Sequence, residues 1–173
     1  MFDVTPYVDC LWQVHPDMAA QVIRLESGGR PHAINVNVLT GKPRPNYRQP
    51  TTRQEAITLS KKFIRQGYSV DMGLMQINSK NLPRYNVTVE EIFDPCTNIR
   101  TGSRILHSAW QVATRTTADE QSALLKALSI YNTGNMQRGF TNGYVARYTG
   151  QKLRISPAHT RSSTVIDTGD LYD

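Results

Sequence analysis

The stretch "VIRLESGGRPHAINVN", residues 22–37, sets a carboxylate where a helix should end. An apolar helical run reaches Glu26 and stops at once on Ser27-Gly28-Gly29. A surface glutamate sits better near a helix start, where the macrodipole favours negative charge. At a helix end the dipole opposes ionisation, and an apolar helix face behind the carboxyl opposes it further. Both effects raise a pKa. A carboxylic acid that stays protonated near neutral pH is what general acid catalysis requires, and glycosidases use such a group to protonate a leaving oxygen. The same residue also reads as a solvated glutamate beside a helix stop, and one position does not separate the two readings.

Other chemistry falls away by elimination. The chain has no phosphate-loop GxxxxGK, no GxGxxG, no HExxH and no GxSxG. His15, His32, His107 and His159 have no evident carboxylate or cysteine partners and read as surface or packing residues. Cys10 and Cys96 share no C-x-x-C spacing, so neither a metal nor another cofactor is expected. These two cysteines are either buried thiols or one disulfide, and a disulfide would imply an oxidising compartment. Asp71, just before Met72-Gly73, is either a second carboxylate able to activate water or a turn residue bonding nearby backbone N–H groups.

The elements that must position these residues are mostly helical. Residues 16–27 predict a first helix, with Pro16 at its first turn, Gly28-Gly29 as its stop, and Met18, Val22 and Leu25 along one face. "AINVNV" alternates as a short strand, and a proline-rich loop follows it. Thr52 and Glu55 form a capping-box pattern for a helix to about residue 66, with Ala56, Leu59 and Phe63 facing inward. "YSVDMGLMQIN" reads as a strand or turn. Thr88 with Glu91 repeats the capping box, Asp94-Pro95 opens the longest helix, Thr117 with Glu120 starts another, and a short last helix covers "NGYVARY". From Gly150 the pattern dissolves into a polar stretch, expected to be extended or disordered. The fold class expected is mainly α-helical α+β, with a small β element, as a domain over 1–149 and a tail over 150–173.

Composition bounds the rest. The 173 residues suit one domain with a real core. The apolar runs are too short to span a bilayer, so no membrane span is expected. The formal net charge of +6 suits an anionic partner such as a nucleic acid or a cell-wall polymer, and equally suits ordinary solubility charge. No basic recognition helix or stacking platform stands out, so no nucleic-acid partner is expected. The opening "MFDVTPYVDC" shows no basic region followed by an apolar one, which fits either a cytosolic protein or one whose export signal is removed.

Three segments, "ESGG" (26–29), "GLMQIN" (73–78) and "IYN" (130–132), occur in order between helices. Together with "HAINVN", "DMGLMQINSKNL" and "FDPCTNIRTGSRIL", they resemble the lytic transglycosylases of goose-type lysozyme-like fold. They are most similar to the small branch attached to type IV secretion, conjugation and pilus machinery. The resemblance covers roughly residues 8–149 and fails over the tail. It implies that Glu26 is the sole catalytic acid and base. It implies that Ser27 helps hold the site and that Gly73, Met75, Gln76 and Asn78 line the cleft beside the acid. Tyr131 and Asn132 would stand near the glutamate and the sugar, and Tyr144 resembles a late cleft tyrosine. The family's A-Y-N-A-G is here "IYNTG", with Ile130 and Thr133 in place of alanines. In this branch the cysteines matching Cys10 and Cys96 are paired, which implies a disulfide and export to the periplasm.

The activity so implied is cleavage of the MurNAc-β-1,4-GlcNAc bond of peptidoglycan with formation of a 1,6-anhydro sugar, to open the wall for a secretion or conjugation apparatus. Two alternatives stay open: a hydrolytic muramidase using Asp71, and a non-catalytic wall-binding assembly factor. The tail starts basic (Lys152, Arg154) and ends acidic (Asp167, Asp170, Asp173), which suits docking onto channel subunits and equally suits a solvated terminus.

Overall fold

The first helix is fixed at both ends by its own sequence. In a computed structural model, which describes residues 2–150 and 153–155, α1 runs Pro16–Ser27. Pro16 has no N–H to leave unpaired at the first turn. His15 caps the helix by accepting the Asp17 N–H on Nδ1 (3.1 Å). Gly28, at φ 64°, takes the left-handed closing position and returns its N–H to the Arg24 carbonyl. Met18, Ala19, Val22 and Ile23 are buried, while Leu25 is half-buried.

Three short strands follow: β1 (Ile34–Asn37), then, after α2 (Arg53–Arg65), β2 (Ser69–Met72) and β3 (Ile77–Asn78). They form one antiparallel sheet in the order β1-β2-β3. The register pairs Asn35 with Asp71 and Asp71 with Asn78, so these three polar residues form one row across the sheet. Ile34, Val36, Val70, Met72 and Ile77 are buried. The sheet thus has a polar row set between apolar rows, as the two-residue strand period requires.

The remaining helices are α3 (Leu82–Tyr85), α4 (Val89–Ile92), α5 (Pro95–Thr114), α6 (Glu120–Thr133) and α7 (Arg138–Thr141), with a 3-10 turn at Val145–Tyr148. α5 packs along α6 and carries Ile99, Leu106, Ala109 and Ala113 into the core. A 3-10 turn at Thr5–Cys10 is joined to the start of α5 by the Cys10–Cys96 disulfide, whose Cα atoms lie 5.3 Å apart. Closing a loop of 86 residues stabilises the fold by about 4.6 kcal/mol in the chain-entropy model. Among the described residues no helix is long and apolar enough to cross a membrane.

Several local expectations shift. The capping box at Thr88 and Glu91 is complete. At α2, Thr52 accepts the Glu55 N–H (3.2 Å), but the Glu55 carboxylate reaches past Thr52 to the N–H (2.8 Å) and hydroxyl (3.0 Å) of Thr51. The buried stripe of α2 is Ala56, Ile57, Ser60 and Phe63, and Leu59 is half-buried. α6 starts later than "TADE" suggests, because the Asp119 carboxylate captures the Ser122 N–H (2.8 Å) while Thr117 accepts from Lys126 (2.8 Å). Of the short last helix expected over residues 142–148 only a 3-10 turn at Val145–Tyr148 forms, after Gly143 adopts φ 82°, and the unpredicted α7 precedes it.

The packed core also passes the boundary expected at 149. Leu153 and Ile155 are buried. Gln121 brackets Leu153, accepting its N–H (3.1 Å) and donating to its carbonyl (2.8 Å), and the His15 N–H donates to the Ile155 carbonyl (2.6 Å). The rest of the tail, with Lys152, Asp167, Asp170 and Asp173, lies outside the described residues, as does His159.

Candidate active site

A cleft of about 950 Å³ lies between the end of α1, the sheet and α5–α6. Glu26, Asp71, Gln76, Asn78, Tyr131 and Asn132 all line it. Its volume sits at the upper end of the range of small-molecule sites, about 300–1,000 Å³. Glu26 and Asp71 are the carboxylates among the lining residues, against the cations Arg30, Lys80, Arg84 and Arg147.

Glu26 enters from the last turn of α1 and is half-buried. Its pKa is raised from 4.5 to about 7, mainly by burial of the carboxyl. The Tyr144 hydroxyl and the charge of Arg147 pull it down, and the charge of Asp71 pushes it up. The Tyr144 hydroxyl donates to Glu26 Oε1 and lies 3.0 Å from the Tyr148 hydroxyl. A phenol has one proton, so Tyr148 must donate to Tyr144 when Tyr144 donates to Glu26. Burial raises the pKa of Tyr144, Tyr148 and Tyr131, so all three remain donors. Arg147 is tied to the end of α1 through the Leu25 carbonyl.

This relay makes a prediction with a definite sign. Tyr144→Phe removes a donor that favours the ionised form of Glu26, so the pKa of Glu26 rises further. The alkaline limb of the kcat/KM profile, expected near pH 7 in the parent from the raised Glu26 pKa, should move up by about one pH unit, the equivalent of one charge-assisted hydrogen bond. A limb that stays in place or moves toward acid would remove Tyr144 from control of the acid.

Asp71 is held differently. Its Oδ1 accepts the Asn78 amide (2.7 Å), and its Oδ2 accepts the amides of Asn37 (3.0 Å) and Asn35 (3.2 Å). Three of the roughly four acceptor sites of the carboxylate are therefore filled by asparagines. The sheet register supplies two of these partners directly opposite Asp71, on β1 and β3.

The Gly73–Gln76 connection between β2 and β3 is locked from beneath. Asn98, 1% exposed on α5, accepts the Met75 N–H (2.8 Å) and donates to the carbonyls of Met72 and Ile92 (2.9 Å each). Gly73 adopts φ 76°, and a Cβ there would fall on Asn98 Nδ2. Gln76, at φ 51°, spends its amide N–H groups on the carbonyls of Gly73 (2.9 Å) and Ala33 (3.1 Å). Its Oε1 is the end left to face the cleft. The Tyr131 hydroxyl donates to the Met75 carbonyl (2.6 Å), fixing α6 against the same connection. Asn132 is exposed and accepts from the Asn142 amide (3.0 Å).

The expected site residues therefore fall into two layers. Glu26, Gln76, Asn78, Tyr131 and Asn132 face the cleft. Ser27, Gly73 and Met75 are buried behind it, and Tyr144 is buried against Glu26. Ser27 does not line the cleft; its hydroxyl donates to the Ile23 carbonyl (3.1 Å) and accepts the Gly29 N–H (3.2 Å), closing the turn beyond Glu26. Sequence reasoning missed Asn35, Asn37, Arg147 and Tyr148. The asparagines did leave a signal, since two of them alternate with Ile34 and Val36 in a strand, where asparagine is depleted. Arg147 and Tyr148 left none. No group of three or more potential metal ligands is present among the described residues.

Residues 8–153 match the family model for the transglycosylase SLT domain. Over 132 residues, 76% of this chain and 53% of the relative, the chain is 37% identical to the type IV secretion system protein virB1 of Brucella abortus. It is 32% identical over 152 residues, 88% of this chain and 60% of the relative, to protein virB1 of Agrobacterium fabrum. The chain spans about half the length of the Brucella relative and three-fifths of the other. No solved structure matches it significantly. A cleft-lining glutamate of raised pKa at the end of α1, a cleft over a small sheet, and a family match across nearly all described residues agree, and the chain belongs to the transglycosylase SLT domain family.

Proposed function

We propose that this chain is a peptidoglycan lytic transglycosylase in which Glu26 acts alone as acid and base. The observation that carries the reading is the contrast between the two cleft carboxylates. Glu26 has a pKa of about 7 and so exchanges a proton readily at neutral pH, while Asp71 is enclosed by three asparagine amides. A one-carboxylate glycosidase needs help from the substrate.

The steps balance without water. Glu26 gives its proton to the oxygen joining MurNAc to GlcNAc, and the C1–O bond breaks. The N-acetyl group of the muramic unit stabilises the positive charge that develops at C1. The Glu26 carboxylate then takes the proton of the C6 hydroxyl of the same sugar as O6 bonds to C1. Glu26 ends protonated, and the products are a 1,6-anhydro-MurNAc end and a GlcNAc hydroxyl. Gln76, Asn78 and Tyr131 orient the sugar, and no cofactor takes part.

The site of action follows from the substrate and the relatives. A disulfide and a wall polymer as substrate support a periplasmic location, and relatives named as type IV secretion proteins support a role in opening the wall for such an apparatus or for conjugation. Docking of the tail onto channel subunits belongs to the same proposal. The test is a digest of purified peptidoglycan read by mass spectrometry, with muropeptides about one water lighter than the reducing-end form expected. Reducing-end products would instead make the chain a hydrolase and bring Asp71 forward. No products from a disulfide-intact protein would favour a wall-binding assembly factor.

A further inference from the structure

A second hollow, of about 420 Å³, opens beside the cleft and shares Arg84, Tyr85 and Ser108 with it. Its outer wall is Trp12, which is 52% exposed although tryptophan is usually well covered. The guanidinium of Arg104 lies 6.0 Å from the Trp12 ring centre and 5.1 Å from that of Tyr85, and Arg84 lies 5.9 Å from Tyr85. No carboxylate lines this hollow, and neither arginine has a carboxylate partner among the described residues. Two cations are therefore held together on aromatic faces without a counter-charge among the described residues. Stacking occupies the flat face of a guanidinium and leaves its N–H edges free for the bidentate bonds that carboxylates accept.

The wall is built to hold its place. The Cys10–Cys96 bridge anchors the chain two residues before Trp12, and the Trp12 N–H donates to Ser103 Oγ (3.2 Å) on α5. Gln13 then turns the chain at φ 55°, a conformation costly for a residue with a side chain.

Resting on the reading of the chain as a peptidoglycan lyase, we propose that this hollow is a subsite for the peptide stem of the muramic unit, with Arg84 and Arg104 receiving the stem's free carboxylates and Trp12 covering its apolar part. The stem leaves the glycan at the muramic sugar, and the hollow joins the cleft that would hold that glycan. The subsite gives the enzyme a preference for glycan that carries acidic stems.

Two measurements test it. The first compares kcat/KM on stem-bearing peptidoglycan with that on glycan stripped of stems by an amidase, for the parent and for Arg104→Glu. The parent should favour the stem-bearing polymer, and the substitution should reduce that ratio about tenfold. A ratio of one in the parent, or an equal loss on both substrates in the variant, overturns the subsite. The second titrates a soluble muramyl tripeptide and follows tryptophan fluorescence. Quenching should be lost in Trp12→Phe and weakened about tenfold when the peptide carboxylates are amidated. No quenching, or equal quenching by the amidated peptide, overturns the proposal. Carboxylate-dependent quenching in a protein that makes no anhydro product keeps the subsite and overturns the lyase reading, whereas anhydro product with no stem preference and no quenching does the reverse.

Discussion

Glu26→Gln is expected to abolish turnover while leaving a folded protein that is more stable than its parent above pH 7. A positioned general acid or base contributes about 10²–10⁴-fold to rate, and the proposed mechanism gives both transfers to one residue, so a loss on the order of 10³-fold or more is expected. Glutamine keeps the shape of the side chain and an oxygen for the Tyr144 hydroxyl, but it has no proton to give and cannot take one. Substantial residual cleavage would refute the assignment of Glu26.

The stability half of this prediction follows from linkage. The carboxyl has an ordinary pKa of 4.5 in the unfolded chain and about 7 in the folded one. Between those values the folded protein keeps a proton that the unfolded chain has lost. Stability therefore falls as pH rises through the window and levels off above pH 7. The full difference of pKa corresponds to about 3 kcal/mol, and the partial exposure of the residue reduces the expected effect to on the order of 1–2 kcal/mol. Glutamine stays neutral throughout and escapes this cost. Thermal melts should show a higher Tm for the variant at pH 8 and a difference that closes toward pH 4.5. A difference that widened toward acid would contradict a raised pKa. The same carboxyl thus weakens the fold at neutral pH and equips the site, a trade familiar where activity needs a buried ionisable group.

How much of this was legible in the sequence depends on how local the cause is. α1 was readable to the residue, because Pro16 and Gly28 act on backbone positions adjacent to themselves. The raised pKa of Glu26 was readable in direction, because an apolar face and a helix end are both written nearby. The relay from Tyr148 through Tyr144 was not, since its partner Glu26 lies 118 residues away from Tyr144 and the relay rests on a 3-10 turn where the sequence suggested a helix. The role of Asp71 was open for the same reason. Its environment comes from β1 and β3, and only the strand register shows that Asn35 and Asn78 stand opposite it. The start of α6 was misplaced by a competing cap, Asp119 against Thr117, where two residues with similar propensity stand two positions apart. The buried ends of Leu153 and Ile155 were hidden by their polar neighbours, because a segment of three residues is too short to show a period.

Asn98→Ala should be the most damaging substitution for the fold outside the large apolar core. Asn98 matches three backbone groups that have no access to water, the Met75 N–H and the carbonyls of Met72 and Ile92. Leaving a buried donor or acceptor unpaired costs about 1–3 kcal/mol each, so a loss on the order of 3–5 kcal/mol is expected, against a total stability of about 5–15 kcal/mol for a domain. Gly73→Ala should cost a similar amount by attacking the same lock. Its Cβ would displace the Asn98 amide, and φ 76° is itself unfavourable for alanine. Because each change already breaks what the other would break, the two should not add. In urea denaturation the double variant should lose little more than the worse single variant, so the coupling approaches the smaller single loss, on the order of 3–5 kcal/mol and at or above the top of the usual range of about 0.5–3 kcal/mol. Additive losses would mean that Gly73 and Asn98 support the fold separately, and that the cleft-side placement of Gln76 does not depend on a single lock between β2 and α5. Coupled losses would tie the geometry of the cleft to one buried amide on a helix that never reaches the sugar through that residue.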